Sequence, residues 1–381
     1  MDHALKQYSL ITANYWAFTL SDGAMRMLVL LYFYQQGFDA FAIASVFLLY
    51  ELFGVITNGV GGWVAARIGL NHTMNLGLGL QIVALSVLWW QQDQLSMMLV
   101  SLLQGVSGIA KDLNKMSAKT GIKYITQGKV QTFRWVAALT GSKNTLKGVG
   151  YFLGAAGLQT IGFGNALLVQ IGVLAFALLV SLTLLQSDFG KASYKPKFTA
   201  IFSSSRTINR LALSRIFLFG GRDIWFAIAL PVFVATELGW SHSQTGALMA
   251  AWIIGYGLIQ ASAPKLMAKA ALPWPWLLIL APLILLALIK IELNATTLIT
   301  GLTVFGVLFA LNSAHHSYLI VEAAREDGAS MDVGFYYMAN AIGRLVGTLA
   351  SGAILLSYGI DGVLIVSSVW LGLAAISLPK T

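Results

Sequence analysis

The chain is written in long apolar runs. Stretches rich in Leu, Ile, Val, Ala, Phe and Gly follow one another, with short polar turns between most of them. At about 1.5 Å rise per residue, about 20 such residues cross the roughly 30 Å hydrocarbon core of a bilayer as a helix. About twelve spans can be drawn, centred near Met25, Phe53, Ala84, Gln104, Leu146, Leu174, Ile224, Ile254, Leu283, Phe305, Val346 and Val369. One connection is longer: SDFGKASYKPKFTAIFSSSRTINR, residues 187–210. Its serines, basic residues and Pro196 mark a linker between an N-terminal half, 1–186, and a C-terminal half, 211–381. The expected fold is an all-α polytopic membrane protein of two six-helix halves.

Composition narrows this further. Of the 381 residues, 57% are hydrophobic and 10% charged, where a soluble domain carries about 25% charged residues. Little is left for a soluble domain. The absence of cysteine excludes disulfides, thiolate metal sites and a cysteine nucleophile. The start, MDHALKQYSL, lacks the pattern of a cleavable signal. A net charge of +9 would suit nucleic acid, but the basic residues have another explanation. Lys6, Arg67, Lys115, Lys119, Lys123, Lys129, Arg134, Lys191, Lys195, Lys197, Arg206, Arg210, Lys265, Lys269, Arg325 and Lys380 all fall on one side of the spans, and the opposite turns hold Lys290. By the positive-inside rule both termini are expected in the cytoplasm, with membrane lipid rather than nucleic acid as the surroundings.

The informative polar residues lie inside the spans. In TGSKNTLKG, 140–148, Lys143 and Lys147 share one helix face. Lys143 falls about 15 Å into its span, where a lysine costs at least about 2.5–3.5 kcal/mol. Such a residue faces a bundle interior or a wet cavity. Asp22 and Arg26 form an i,i+4 pair that can neutralise itself; alternatively Arg26 meets a ligand while Asp22 takes a proton. Glu51 has no evident local partner; burial without a counter-charge favours a neutral carboxyl, which suits a proton site, and the alternative is pairing with a lysine of another span. Lys111, Lys115, Lys119 and Lys123 recur every four residues; the last two read as ordinary inward-facing charges, and Lys111 as a cavity border. Arg222 and Asp223 are neighbours, about 100° apart on a helix, and are not expected simply to pair. Gly220, Gly221 and Pro231 predict a loosened or kinked span there. Arg215 is placed shallower, snorkelling to the surface. Tyr336, Asn340 and Arg344 share one face, a set suited to a phosphate-like oxyanion.

His315 and His316 diverge on a helix and make a poor metal pair. They read as a helix-end polar site, with a proton relay as the alternative. No nucleotide-binding loop, GxSxG or HExxH is present, so neither an enzyme nor a cofactor or metal is expected. Deep basic residues (Arg26, Lys111, Lys143, Lys147, Arg222, Arg344) outnumber deep acids (Asp22, Glu51, Asp112, Asp223). That excess points to a small anion of more than one charge. Candidate anion contacts are those six basic residues with Tyr336 and Asn340; candidate proton carriers are Glu51, Asp22 and Asp223.

A shift of 201 residues overlays Phe18 and Asp22 on Phe219 and Asp223, Gly54 on Gly255, and Lys143 on Arg344. Two parallel six-span repeats around a midplane site are the logic of the major facilitator fold. The turn GGWVAARIGLNHT, 61–73, resembles that superfamily's loop signature, Gly-x-x-x-Asp-Arg-x-Gly-Arg-Arg. Gly62, Arg67 and Gly69 match as gating-loop residues; Ala66 stands in place of the Asp, removing the acid from the gating ion pair the signature implies.

NYWAFTLSDGAMRMLVLLYF (14–33), SGIAKDLNKMSAK (107–119), GSKNTLKGVGYFLG (141–154), LFGGRDIWFAIALPVF (218–233) and DVGFYYMANAIGRLVGT (332–348) resemble the ArsJ family, organoarsenical efflux permeases of the major facilitator superfamily. The likeness runs nearly end to end. It implies export of 1-arseno-3-phosphoglycerate across a bacterial cytoplasmic (inner) membrane, giving arsenate resistance. It also implies a functional link to the glyceraldehyde-3-phosphate dehydrogenase that makes that compound from arsenate. A molecule with arsenate and phosphate groups agrees with the charge count. Two alternatives stay open: a proton-linked or exchange transporter of another phosphorylated metabolite, and a non-transporting receptor or scaffold, which would have no need of charges at mid-membrane.

Overall fold

The structure is a computed structural model describing residues 2–37, 46–126, 128–185, 190–193, 196–203, 205–240, 242–269 and 272–379. Lys195, Lys380 and the linker positions 187–189, 194 and 204 lie outside them. The described residues are helical almost throughout: α1 (Asp2–Gln35), α2 (Leu48–Ile68), α3 (Leu70–Trp90), α4 (Met97–Ile125), α5 (Lys129–Leu184), α6 (Arg206–Phe226), α7 (Ala229–Glu237), α8 (His242–Lys269), α9 (Trp274–Ile291), α10 (Ala295–Ala323) and α11 (Ala329–Ser377). Each span centre expected from the sequence falls in one of these helices. Among the described residues, seven helical runs are long and apolar enough to cross a membrane, with α6 and α7 counted as one run. The protein is a multi-pass membrane protein.

Local chemistry sets the helix ends. Ser96 accepts from the Leu99 N–H at 3.2 Å and starts α4; Ser205 accepts from Ile208 at 3.4 Å and starts α6. Asn294 and Thr297 cap α10 reciprocally, at 2.9 and 3.2 Å. The break between α6 and α7 falls at Ala227 and Ile228. Pro231 has no N–H to give Ala227 and its ring crowds that carbonyl, so the helix opens four residues before the proline. Two expected turns shrink to single residues. Gly162 in α5 (φ 80°) and Gly359 in α11 (φ 62°) adopt backbone conformations open to glycine, and each divides one long helix into two passes.

The chain packs into two compact units: residues 1–132, 142–203 and 324–338 form unit 1, and residues 133–141, 204–323 and 339–381 form unit 2. Packing thus assigns α5 residues 133–141 to unit 2 and the start of α11 to unit 1. In unit 1, α4 runs along α2, α3 and α1. Helices α1 and α5 meet backbone to backbone: a Cβ on Gly150 would stand 2.4 Å from the Leu20 oxygen, and one on Gly154 2.2 Å from that of Ala24. Such glycine contacts replace the hydrophobic drive that lipid cannot supply. In unit 2, α6 and α11 meet likewise, at Gly343 against Ile216 and Gly347 against Gly220. The first and fifth spans of each half are therefore paired. Unit 2 centres on Trp225, Phe305, Phe309 and Leu285, all buried. Phe152, Phe176 and Leu356 point outward, as side chains solvated by lipid do.

Candidate functional site

In unit 1 the charges gather around Tyr50. The Arg26 guanidinium carbon lies 3.9 Å from its ring centroid and Lys111 Nζ 3.8 Å from it. A ring face attracts cations most when water is excluded. The Tyr50 hydroxyl donates to Asp22 Oδ1 at 2.7 Å, and Asp22 is 3% exposed. Arg26 Nη2 instead reaches Glu51 Oε1 at 3.2 Å. Two expectations are corrected here. Asp22 and Arg26 do not bond to each other directly: the Asp22 carboxylate takes the Tyr50 hydroxyl, and the Arg26 guanidinium lies over the Tyr50 ring and reaches Glu51. Glu51 does have a counter-charge, brought to it from α1.

Lower on α4, Asp112 is 1% exposed and takes Lys115 at 2.5 Å, with Lys111 at 3.9 Å. Lys115 also stands 4.9 Å from the Tyr337 ring centroid. Lys119, expected to be an ordinary surface charge, is buried, because this part of α4 is enclosed by α2 and α3. On α5, Lys143 Nζ donates to Asn144 Oδ1 at 3.0 Å, and Lys147 lies 5.8 Å from the Tyr151 ring centroid. A Cβ on Gly23 would stand 2.7 Å from the Lys147 carbonyl, so this lysine is level with the turn of α1 preceding Arg26.

In unit 2 a single buried carboxylate faces two guanidiniums. Asp223 accepts from Arg222 at 2.5 and 2.6 Å through Oδ1, and from Arg344 Nε at 3.2 Å through Oδ2. Arg222 and Asp223 therefore do pair. The 100° between neighbours applies at Cβ, and the long arginine folds back across Phe219 and Phe309, whose centroids lie 4.7 and 5.4 Å from its guanidinium. Arg215 is corrected too: it is 3% exposed rather than snorkelling. Its Nε donates to Asn340 Oδ1 at 2.8 Å, its Nη1 to the Ser313 carbonyl at 3.4 Å, and Phe219 lies under it at 3.9 Å. Asn340 thus orients Arg215. Tyr336, on the same helix face in sequence, packs in unit 1, fully buried and edge-on to Tyr337 at 5.1 Å. His316 is buried, and His315 lies against Phe133 and Tyr318 at 6.1 Å from each.

The sequence reading missed Tyr50 and misplaced Arg215. An aromatic in an apolar run carries no signal of its own; only the cations stacked on it show its part. Of the residues that match the loop signature, Gly69 (φ 94°) separates α2 from α3, Arg67 in the last turn of α2 stacks 4.9 Å from the Trp63 centroid, and Gly62 lies further back within α2.

Neither a protein-family profile nor a curated protein sequence matches the chain. Solved structures do. The human organic anion transporter MFSD10 (TETRAN) superposes with a TM-score of 0.81 over 99% of each chain at 16% identity. The proton:xylose symporter XylE, of the major facilitator superfamily, bound to 6-bromo-6-deoxy-D-glucose, gives 0.74 at 12% identity, covering 99% of this chain and 97% of that one. The E. coli fucose:proton symporter FucP gives 0.71 at 13%, covering 99% and 100%. The helices and buried charges are those of a polytopic α-helical membrane protein. Its architecture is the major facilitator fold.

Proposed function

We propose that the protein is a secondary-active exporter of an organic anion, working by alternating access. Its substrate is 1-arseno-3-phosphoglycerate, and its effect is arsenate resistance in a bacterial inner membrane. The observation that carries the anion reading is the two-to-one ratio at Asp223: one buried carboxylate accepts from both Arg222 and Arg344. Two guanidiniums converging on one carboxylate make a locally cationic group, and guanidinium suits a phosphate- or arsenate-like group, which it can meet with a fork of parallel N–H donors. Within unit 1, Lys143 and Lys147, with Arg26 and Lys111 around Tyr50, are a further set of cations suited to anionic groups. Of the superposing proteins, one is itself described as an organic anion transporter. The arsenic-bearing substrate rests on the ArsJ resemblance, and so does the supplying glyceraldehyde-3-phosphate dehydrogenase.

Export of an anion is already favoured by an inside-negative potential, by about 2.3 kcal/mol per charge per 100 mV. Exchange for a proton adds the pH gradient and resets the empty carrier. Among the deep carboxylates, Glu51 and Asp223 hold guanidiniums, while Asp22 is met by a phenol. That geometry favours Asp22 as the proton carrier, ahead of Glu51. The test is uptake of enzymatically made 1-arseno-3-phosphoglycerate into everted vesicles, with the membrane potential clamped and the pH gradient varied. Uptake that 3-phosphoglycerate outcompetes would favour another phosphorylated metabolite; no uptake of either would refute the anion reading.

A further inference from the structure

At the linker end of unit 1, the last turns of α2 cross the first turns of α11, backbone against backbone at Gly62 and Gly334. A Cβ on Gly62 would stand 2.4 Å from the Ser330 carbonyl oxygen, and one on Gly334 2.7 Å from that of Asn58. Opening this end requires the crossing to part. The central linker lies across it. The Ala192 N–H donates to the Ala66 carbonyl at 2.9 Å, and Ala66, Ala192 and Met331 close into an apolar contact with Trp63 packed on it. Ser193 gives its N–H to Asp327 Oδ1 at 2.9 Å and its hydroxyl to Oδ2. The Pro196 carbonyl accepts from Trp63 Nε1 at 3.0 Å, and Phe198 meets the Trp63 ring edge-on at 5.5 Å. Phe202 meets Phe335 of α11 at 6.1 Å.

The linker thus holds α2 through Trp63 and Ala66, and α11 through Met331, Phe335 and the preceding Asp327. That preceding loop moves with α11, because Arg325 gives Asp332 three N–H donors at 2.9–3.1 Å. We infer that linker residues 192–193 and 196–202 form a strap that clamps α2 against α11 and must release before this end of the protein opens. The departure from the loop signature fits. Ala66, where the signature has an acid, is fully buried against Ala192 and Met331, and a carboxylate there would sit unpaired in an apolar contact. An apolar and hydrogen-bonded strap stands in for an ionic gate. The inference rests on alternating access but on no particular substrate.

The test reads the crossing directly. The chain has no cysteine, so Asn58→Cys, 1% exposed beneath Gly334, is a sole thiol for maleimide labelling of the full-length protein in lipid nanodiscs. Ser193→Ala with Asp327→Ala should raise the labelling rate about fivefold, the loss of two hydrogen bonds shifting the open population. Ser193→Thr, which keeps the hydroxyl, should label at the parent rate. Trp63→Phe, which loses the bond to Pro196 and trims the ring packed against Phe198 and the apolar contact, gives a second release. Parent-like rates in both release variants overturn the strap. Gly62→Val, which wedges the crossing itself, separates the two ideas. A rise there alone removes the strap and leaves alternating access standing; no rise in any variant removes the mobile crossing as well.

Discussion

Asp223→Asn keeps the shape of the unit 2 centre and removes its negative charge. Asp223 is 3% exposed and accepts from Arg222 at 2.5 Å and Arg344 at 3.2 Å. The Arg222 side chain is 14% exposed and that of Arg344 35%. Stranding one member of a buried ion pair costs about 3–5 kcal/mol. Arg344 is a third exposed and solvent-screened, so its share falls to about 0–1 kcal/mol, and we expect a total of about 3 kcal/mol, carried mainly by Arg222. With about 2.1 cal/mol/K of unfolding entropy per residue, this lowers Tm by about 4 °C. An anion that binds between the guanidiniums replaces the missing charge, so inorganic phosphate should return most of the loss by mass action. Adding Arg222→Gln removes the stranded cation: stability should recover without phosphate, and the phosphate response should shrink. The assay is thermal unfolding of purified protein in detergent, with a phosphate titration for each variant. A Tm for Asp223→Asn within about 1 °C of the parent, or equal phosphate stabilisation of the single and double variants, would refute the argument.

Lys143→Ala and Arg344→Ala should each abolish substrate uptake in everted vesicles while membrane insertion stays at the parent level; normal uptake removes that residue from the site. Asp22→Asn should erase the dependence of flux on the pH gradient and Glu51→Gln should keep it, so the reverse pattern would return the proton to Glu51. The strap should also respond to acid. Hydrogen bonds from Ser193, with the Arg325 charge nearby, hold the Asp327 carboxyl below its ordinary range; Lys123, Lys191 and Glu326 are the other charged groups lining that surface. A depressed carboxyl contributes stability above its unfolded value and loses it as pH falls through the folded one. The labelling rate of Asn58→Cys, divided at each pH by that of the same variant carrying Asp327→Ala so that the falling thiolate fraction cancels, should therefore be constant from neutral pH down to roughly pH 4 and climb towards one below it; a ratio that stays constant throughout would remove the Asp327 carboxylate from the strap.

The helices and their number of passes are legible in the chain because a bilayer demands about 20 apolar residues per crossing, a local property of sequence. The same reasoning finds the deep basic residues, since each interrupts an apolar run and stands out for its cost. Partners are another matter. Glu51 looked solitary because Arg26 lies 25 residues away in the chain; Asp223 reaches Arg344 across 121 residues. Spacing within one helix suggested that Asp22 would take Arg26, yet a tyrosine from α2 intervened. Arg215 looked shallow by its position in a span, and Asn340, Ser313 and Phe219 enclose it. Which charges exist inside the membrane is written residue by residue along the chain. Which charge neutralises which is decided by helices meeting side by side, because only tertiary packing sets the few ångströms over which a buried ion pair forms.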